Sequence, residues 1–210
     1  MILLIDNDII LKLASCDLLA EAAEVFGITL FDFYVLPSAR FKLLNPKKPN
    51  RAKVKLQQVE YARLEQFFKV AKNINLVPNP EVFAALTGHD GIDEGESLLF
   101  SALGQLTDSL LATGDKRSLI ELQNTSGVPL TALRNQVRQR TFCFEQIVMR
   151  IIQNVDFNTC LSKIVPARNC DTALRFIFSK EYSTTQNESL EGLTSYINDL
   201  RMQTGDLLMQ

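Results

Sequence analysis

No stretch of this chain approaches the about eighteen uninterrupted apolar residues that a membrane-crossing helix needs, so the sequence offers no transmembrane candidate. It also has almost no excess charge. Lys and Arg number 22 against 24 Asp and Glu, a net charge of -2, so attraction to a polyanion must come from a local patch rather than from the whole molecule. Cysteine is scarce and scattered: Cys16, Cys143, Cys160 and Cys170 form no C-x-x-C pair. Ile2 to Ile5 is too short for the apolar region of a signal peptide and has no basic segment before it. These absences point to a reduced cytoplasmic protein without structural zinc. What is present excludes general disorder: 210 residues with 46% hydrophobic content and a mean hydropathy of +0.03 suffice for one sizeable domain with an extension, or two small domains.

The first apolar segment, ILLIDNDIILKLA, holds two acids, Asp6 and Asp8. A buried carboxylate without a partner costs several kcal/mol, so these acids must cap a helix, reach solvent at an element end, or hold a cation. Ile2 to Ile5 reads as a buried parallel strand, and a helix starts behind it with Asp8 as N-cap. The pattern then predicts a helix over 17–25 ending near Gly27, a strand over 28–36 stopped by Pro37, and a long helix over 51–72. Further along it predicts a short helix over 82–86, a helix over 93–106, a strand over 109–113, a helix over 115–123 and a last short strand over 128–131. Alternation of strand and helix argues for an α/β fold with a mostly parallel central sheet flanked by helices. From Leu133 onward only helical patterns recur, at 135–154, 172–182 and 190–209, with the polar stretch 182–188 as a hinge. The expected division is an α/β domain over 1–132 and an all-α C-terminal extension over 133–210.

Three acids fall at equivalent places in that scheme. Asp6 follows the first strand, Asp115 follows the strand over 109–113, and Glu96 lies in the first turn of the helix opened by Asp93. At the carboxyl edge of a parallel sheet such positions converge. A cluster of carboxylates repels itself unless a cation joins it, and Mg²⁺ or Mn²⁺ suits carboxylate and water oxygens. Each acid also has a local explanation. Asp8, Asp93 and Asp115 fit N-caps, and Asp93 with Glu96 fits a capping box.

LLIDNDIILKLA resembles the first motif of PIN-domain nucleases, an apolar strand ending in Asp before a helix. GIDEGESLLFSAL resembles their acidic helix, and LLATGDKRSLIEL their strand ending in T-x-D. The resemblance spans about Met1 to Thr131. It implies a PIN-like fold and a metal-dependent phosphodiesterase, most often a ribonuclease, with Asp6, Glu96 and Asp115 as catalytic and metal-holding acids and Thr113 beside the last. One departure stands out: LPSARFKLLN carries Arg40 and Lys42 where such proteins commonly have another acid. Asp8, Asp93 or Glu94 would have to supply it, or the site is degenerate. The implied chemistry is hydrolysis by a metal-activated water, with two ions about 3.5 to 4 Å apart if both bind. His89, the only histidine, reads either as a proton carrier or as a solvent-facing loop residue.

NPKKPNRAKVK supplies a local basic run, Lys47, Lys48, Arg51, Lys53 and Lys55, with no acid between. It reads as an RNA phosphate contact or as a solvated face. Arg134, Arg138 and Arg140 form a second, weaker basic group. Two other functions fit the same residues. In a haloacid-dehalogenase-type phosphatase, Asp6 would be the nucleophile, Asp8 the general acid and Gly114-Asp115 the later motif. In a non-catalytic PIN-like module, the helical extension would bind RNA or a protein partner. The apolar residues Phe142, Phe144, Ile147, Val148, Ile151 and Ile152 of that extension either pack on the sheet or form a homodimer.

Overall fold

The strand Ile2–Ile5 (β1) is buried on both sides. Leu3 and Ile5 enter one apolar cluster and Leu4 the other, the two-residue alternation of a pleated strand covered on both faces. In the computed structural model, which describes residues 1–45 and 58–210, β1 is the middle of a five-stranded parallel sheet. Its neighbours are β2 (Phe33–Val35), β3 (Lys72–Asn73), β4 (Ser109–Ala112) and β5 (Thr141–Phe142), in the order β3-β2-β1-β4-β5. The chain winds outward through β2 and β3, then returns to the other side of β1 for β4 and β5. The sheet therefore has a switch point between β1 and β4, where open α/β folds form their ligand crevices.

Helices cover both faces. On one face α1 (Asn7–Ser15), α2 (Leu19–Val25), α3 (Ala39–Leu44), α4 (Gln58–Val70), α9 (Phe144–Asn154), α10 (Phe157–Ala167) and α11 (Thr172–Ile177) pack against Leu3, Phe33 and Phe142. On the other, α5 (Pro80–Thr87), α6 (Glu94–Gln105), α7 (Lys116–Asn124) and α8 (Val128–Val137) pack against Leu4 and Leu111. The last helix, α12 (Gln186–Thr204), places Leu193 in the first cluster and Ile197 and Leu200 in the second. Among the described residues no helix is long and apolar enough to cross a membrane.

Several boundaries differ from the sequence pattern, each for a local reason. The helix expected to start from Asp8 is capped by Asp6 instead, whose carboxylate accepts from the Asp8 N–H at 2.8 Å. The second strand covers only Phe33–Val35, because Thr29 and Asp32 close a capping box over the 3₁₀ turn Leu30–Asp32. The strand expected over 128–131 is the first turn of α8: Pro129 at its start presets a helical φ, and Gly127 with φ 100° caps it. The continuous helix expected over 135–154 is broken by Gln139, with φ 54°, and by β5. Arg140 fixes that break, donating to the carbonyls of Leu106, Ser109 and Gln136. It thus serves the amino edge of the sheet rather than a phosphate. Arg138 pairs with Asp206.

The division expected at 132 falls inside α8, and β5 joins the same sheet as β1. Phe142, Phe144, Ile147, Val148, Ile151 and Ile152 are buried in the chain's own core beside Leu3 and Ile9. Past α12 the chain returns to the sheet, where Leu208 bridges Thr141 and the Met209 N–H donates to the Thr141 carbonyl at 2.9 Å.

Candidate functional site

At the carboxyl end of β1 the Asp6 N–H still donates to the Ala112 carbonyl, at 3.0 Å, so Asp6 and the turn after β4 lie side by side. The Asp6 carboxylate uses both oxygens there. Oδ1 caps α1; Oδ2 accepts the Gly114 N–H at 2.9 Å and the Thr113 hydroxyl at 3.2 Å. Thr113 is buried, and its Oγ1 also accepts the Asp115 N–H at 3.3 Å, so one hydroxyl ties the two acidic turns together. Burial raises the Asp6 pKa, and the backbone donors only partly offset this.

Asp8 lies one step up the same wall. Its Oδ2 pairs with Lys12 at 2.6 Å and rests against Gly114, where an added Cβ would lie 2.0 Å from it. Only glycine permits that approach. Lys12 also pairs with Asp171 at 2.9 Å and lies over the Phe144 ring, so it fixes Asp8 from below.

Asp115 caps α7, its Oδ1 accepting from Arg117 N at 2.8 Å and Ser118 N at 3.1 Å. Glu96 and Asp93 form the capping box that the sequence suggests for α6, with Glu96 Oε2 accepting the Asp93 N–H at 2.7 Å. Glu96 also comes within hydrogen-bonding reach of the Asp115 carboxyl. Burial above all, with that hydrogen bond and the Asp115 charge, pushes Glu96 up to about 8. Glu96 therefore favours its protonated form at neutral pH.

Asp6, Asp8, Glu96, Gly114, Asp115, Lys116 and Arg117 line one open cleft of about 380 Å³ at the switch point. The amino ends of α1, α6 and α7, capped by Asp6, Asp93 and Asp115, face this region, and such ends favour anions. The Arg117 side chain is 88% exposed at the rim. Lys116 reaches the other way, to Glu145, whose side chain is 1% exposed and whose second oxygen has no hydrogen-bond partner. Lys12, Lys116 and Arg117 are the residues that the motifs alone do not reveal. Lys12 does leave one signal, its position four residues after Asp8 on a helix.

Other expected residues lie elsewhere. Glu94 is exposed and Asp93 is occupied as a cap; neither lines the cleft. His89 hydrogen-bonds Glu121 at 3.1 Å and is not part of the cleft wall. Arg40 lines a separate cavity with Pro37, Phe41 and Phe68, and Lys42 is exposed on α3. Lys47, Lys48, Arg51, Lys53 and Lys55 lie outside the described residues. Although four acids line the cleft, among the described residues no three His, Cys, Asp or Glu side chains are grouped so that they could hold a metal ion. The hydrogen bonds explain this. Asp6 is turned toward Thr113 and Gly114, Asp8 toward Lys12, and Asp115 toward the amino end of α7 and Arg117.

The raised pKa of Glu96 has a measurable consequence. An unfolded glutamate titrates near 4.5, whereas folded Glu96 holds its proton to about 8. The stability tied to it is therefore full below pH 4.5 and is lost as the pH rises through 8. In EDTA the protein should melt at a lower temperature at pH 8 than at pH 6. Glu96→Gln, which keeps the capping box without titrating, should flatten that dependence. Equal slopes for the two proteins would place the proton elsewhere.

No protein-family model, curated protein or solved structure matches the chain.

Proposed function

We propose that the cleft hydrolyses phosphodiester bonds with the help of Mg²⁺ or Mn²⁺, with RNA as the substrate class. One observation carries this reading: Glu96 and Asp115 line one open cleft at the switch point, where burial above all, and the neighbouring Asp115 charge, raise Glu96 to about 8, so that it favours its protonated form at neutral pH. A hard divalent cation is the natural replacement for that proton. Mg²⁺ typically takes one or two carboxylates, several waters and the substrate's own phosphate rather than a full protein cage. A two-carboxylate site therefore suits it. RNA follows from the likeness of the three acidic motifs to PIN-domain nucleases and from the basic run at 47–55.

When bound, such a cation supplies a Lewis acid for a phosphoryl oxygen and a water of lowered pKa. Glu96 and Asp115 would hold it. Asp6, through Thr113 and Gly114, keeps the Asp115 turn in place, and Asp8, held by Lys12, adds negative charge to the wall. Arg117 at the rim and the amino ends of the three helices favour the phosphate. The Glu96 proton must leave before Glu96 can take a cation, so metal affinity should fall below about pH 8. Asp6 also lines the cleft, with Oδ1 accepting the Asp8 N–H and Oδ2 the Gly114 N–H, so the phosphatase reading is separated by substrate rather than by its geometry.

The test is incubation of the purified protein with single-stranded and hairpin RNAs, in Mg²⁺, in Mn²⁺ and in EDTA. Cleavage that EDTA abolishes is expected. A thermal melt should also rise with metal, by an amount equivalent to about 2.7 kcal/mol at a hundredfold excess over Kd. RNA binding without cleavage, and no melting response to metal, would identify a non-catalytic module. Turnover of small phosphomonoesters but not RNA would favour the phosphatase.

A further inference from the structure

Cys16 ends α1 and is wholly buried, while Cys170 lies in the 3₁₀ turn Arg168–Cys170 and is partly exposed. They are 154 positions apart in sequence, yet their Sγ atoms are 3.8 Å apart. A disulfide needs about 2 Å, so bond formation draws the two sulfurs about 2 Å closer together than they stand here. Both ends are held. Arg63 donates to the carbonyls of Ala14 and Ser15 at 2.9 and 3.2 Å, fixing the turn that carries Cys16. On the other side Asp171, next to Cys170, caps α11 and pairs with Lys12.

We propose that Cys16 and Cys170 form a redox modification site, a dithiol that small disulfides such as oxidised glutathione convert to an intramolecular disulfide. The Cys170 thiolate, the accessible one, attacks the small disulfide and releases one glutathione thiol. The Cys16 thiolate then attacks the Cys170 sulfur and releases the second. Two protein thiols are oxidised, one small disulfide is reduced, and the two protons end on the released thiols. Cys16 does not react first: its hydrogen bond with Cys170 and its burial hold its thiol well above the ordinary cysteine value. The cross-link would clamp α1 to the turn before Asp171, and so would tighten the Asp171, Lys12, Asp8 chain that ends on the acidic cleft. The inference does not rest on the proposed hydrolysis.

The test is incubation of the full chain with oxidised glutathione, followed by intact mass and non-reducing peptide mapping. A loss of about 2 Da with no glutathione attached and a linked pair of peptides carrying Cys16 and Cys170 are expected. Because the closed loop is long, the melting temperature should rise by about 10 °C and return on adding dithiothreitol. Cys170→Ser, at a partly exposed position that tolerates the change, should lose the linked peptides and the rise together. Cys16→Ala gives a second check with a residue small enough for its buried site. Stable glutathione on Cys170, a link through Cys143 or Cys160, or unchanged thiols would each overturn the proposal.

Discussion

Lys116→Met is expected to lower the stability of the fold by about 3 kcal/mol, seen as a fall of about 10 °C in melting temperature. Glu145 is the reason. Its carboxylate is 1% exposed, one oxygen pairs with Lys116 and the other has no partner. Removing the ammonium leaves a buried charge uncompensated, and breaking a buried pair typically costs about 3 to 5 kcal/mol. Lys116 is itself 39% exposed, so water can partly replace it and the lower figure applies. The double variant Lys116→Met with Glu145→Gln should recover most of the loss, since the charge is then absent. Equal melting of the single variant and the wild type, by calorimetry, would show that the pair contributes no net stability.

Asp115→Asn has the largest expected effect on activity. Asparagine caps a helix as well as aspartate, so α7 should keep its start and the fold its melting temperature in EDTA. Removing the charge beside Glu96 even relieves a repulsion. The proposed cation loses one of its two carboxylates. Metal-dependent RNA cleavage should fall by at least about 100-fold, which corresponds to about 2.7 kcal/mol of lost transition-state stabilisation, and the metal-induced rise in melting temperature should vanish. Unchanged cleavage would remove Asp115 from the site. Loss of stability in EDTA without loss of the metal response would reduce it to a cap.

The same two-sided logic shows where reading residues one by one succeeds. β1 and β4 are legible because each is a short continuous apolar run before an acid, the pattern of a strand buried on both faces. Glu96 and Asp115 are legible as acids that follow strands or open helices at one sheet edge. The roles within the D-x-D pair are not. Asp6 has the extended backbone, ψ 156°, that an N-cap requires, and only the first φ and ψ of the helix decide which of two nearby acids takes that place. Asp6 is thus a cap and a cleft residue together, and replacing it alone cannot separate the two. Lys12 with Asp171 and Lys116 with Glu145 are invisible for another reason: their partners come from distant elements that only the folded topology brings near. β5 escapes because two residues carry no periodicity.

The return of the chain to Thr141 has a consequence for how copies of this protein meet. A row of unpaired N–H and C=O groups at a sheet margin is a template for strand addition by another chain. Here Leu208 and Met209 take the free side of β5. The opposite margin, β3, is two residues long and carries an exposed lysine, Lys72, a charge of the kind that deters such pairing. Among the described residues neither margin offers a length of backbone on which cross-β growth can start. Truncation before Leu207 should remove the cover from β5 and raise the protein's tendency to aggregate, as light scattering on heating would show.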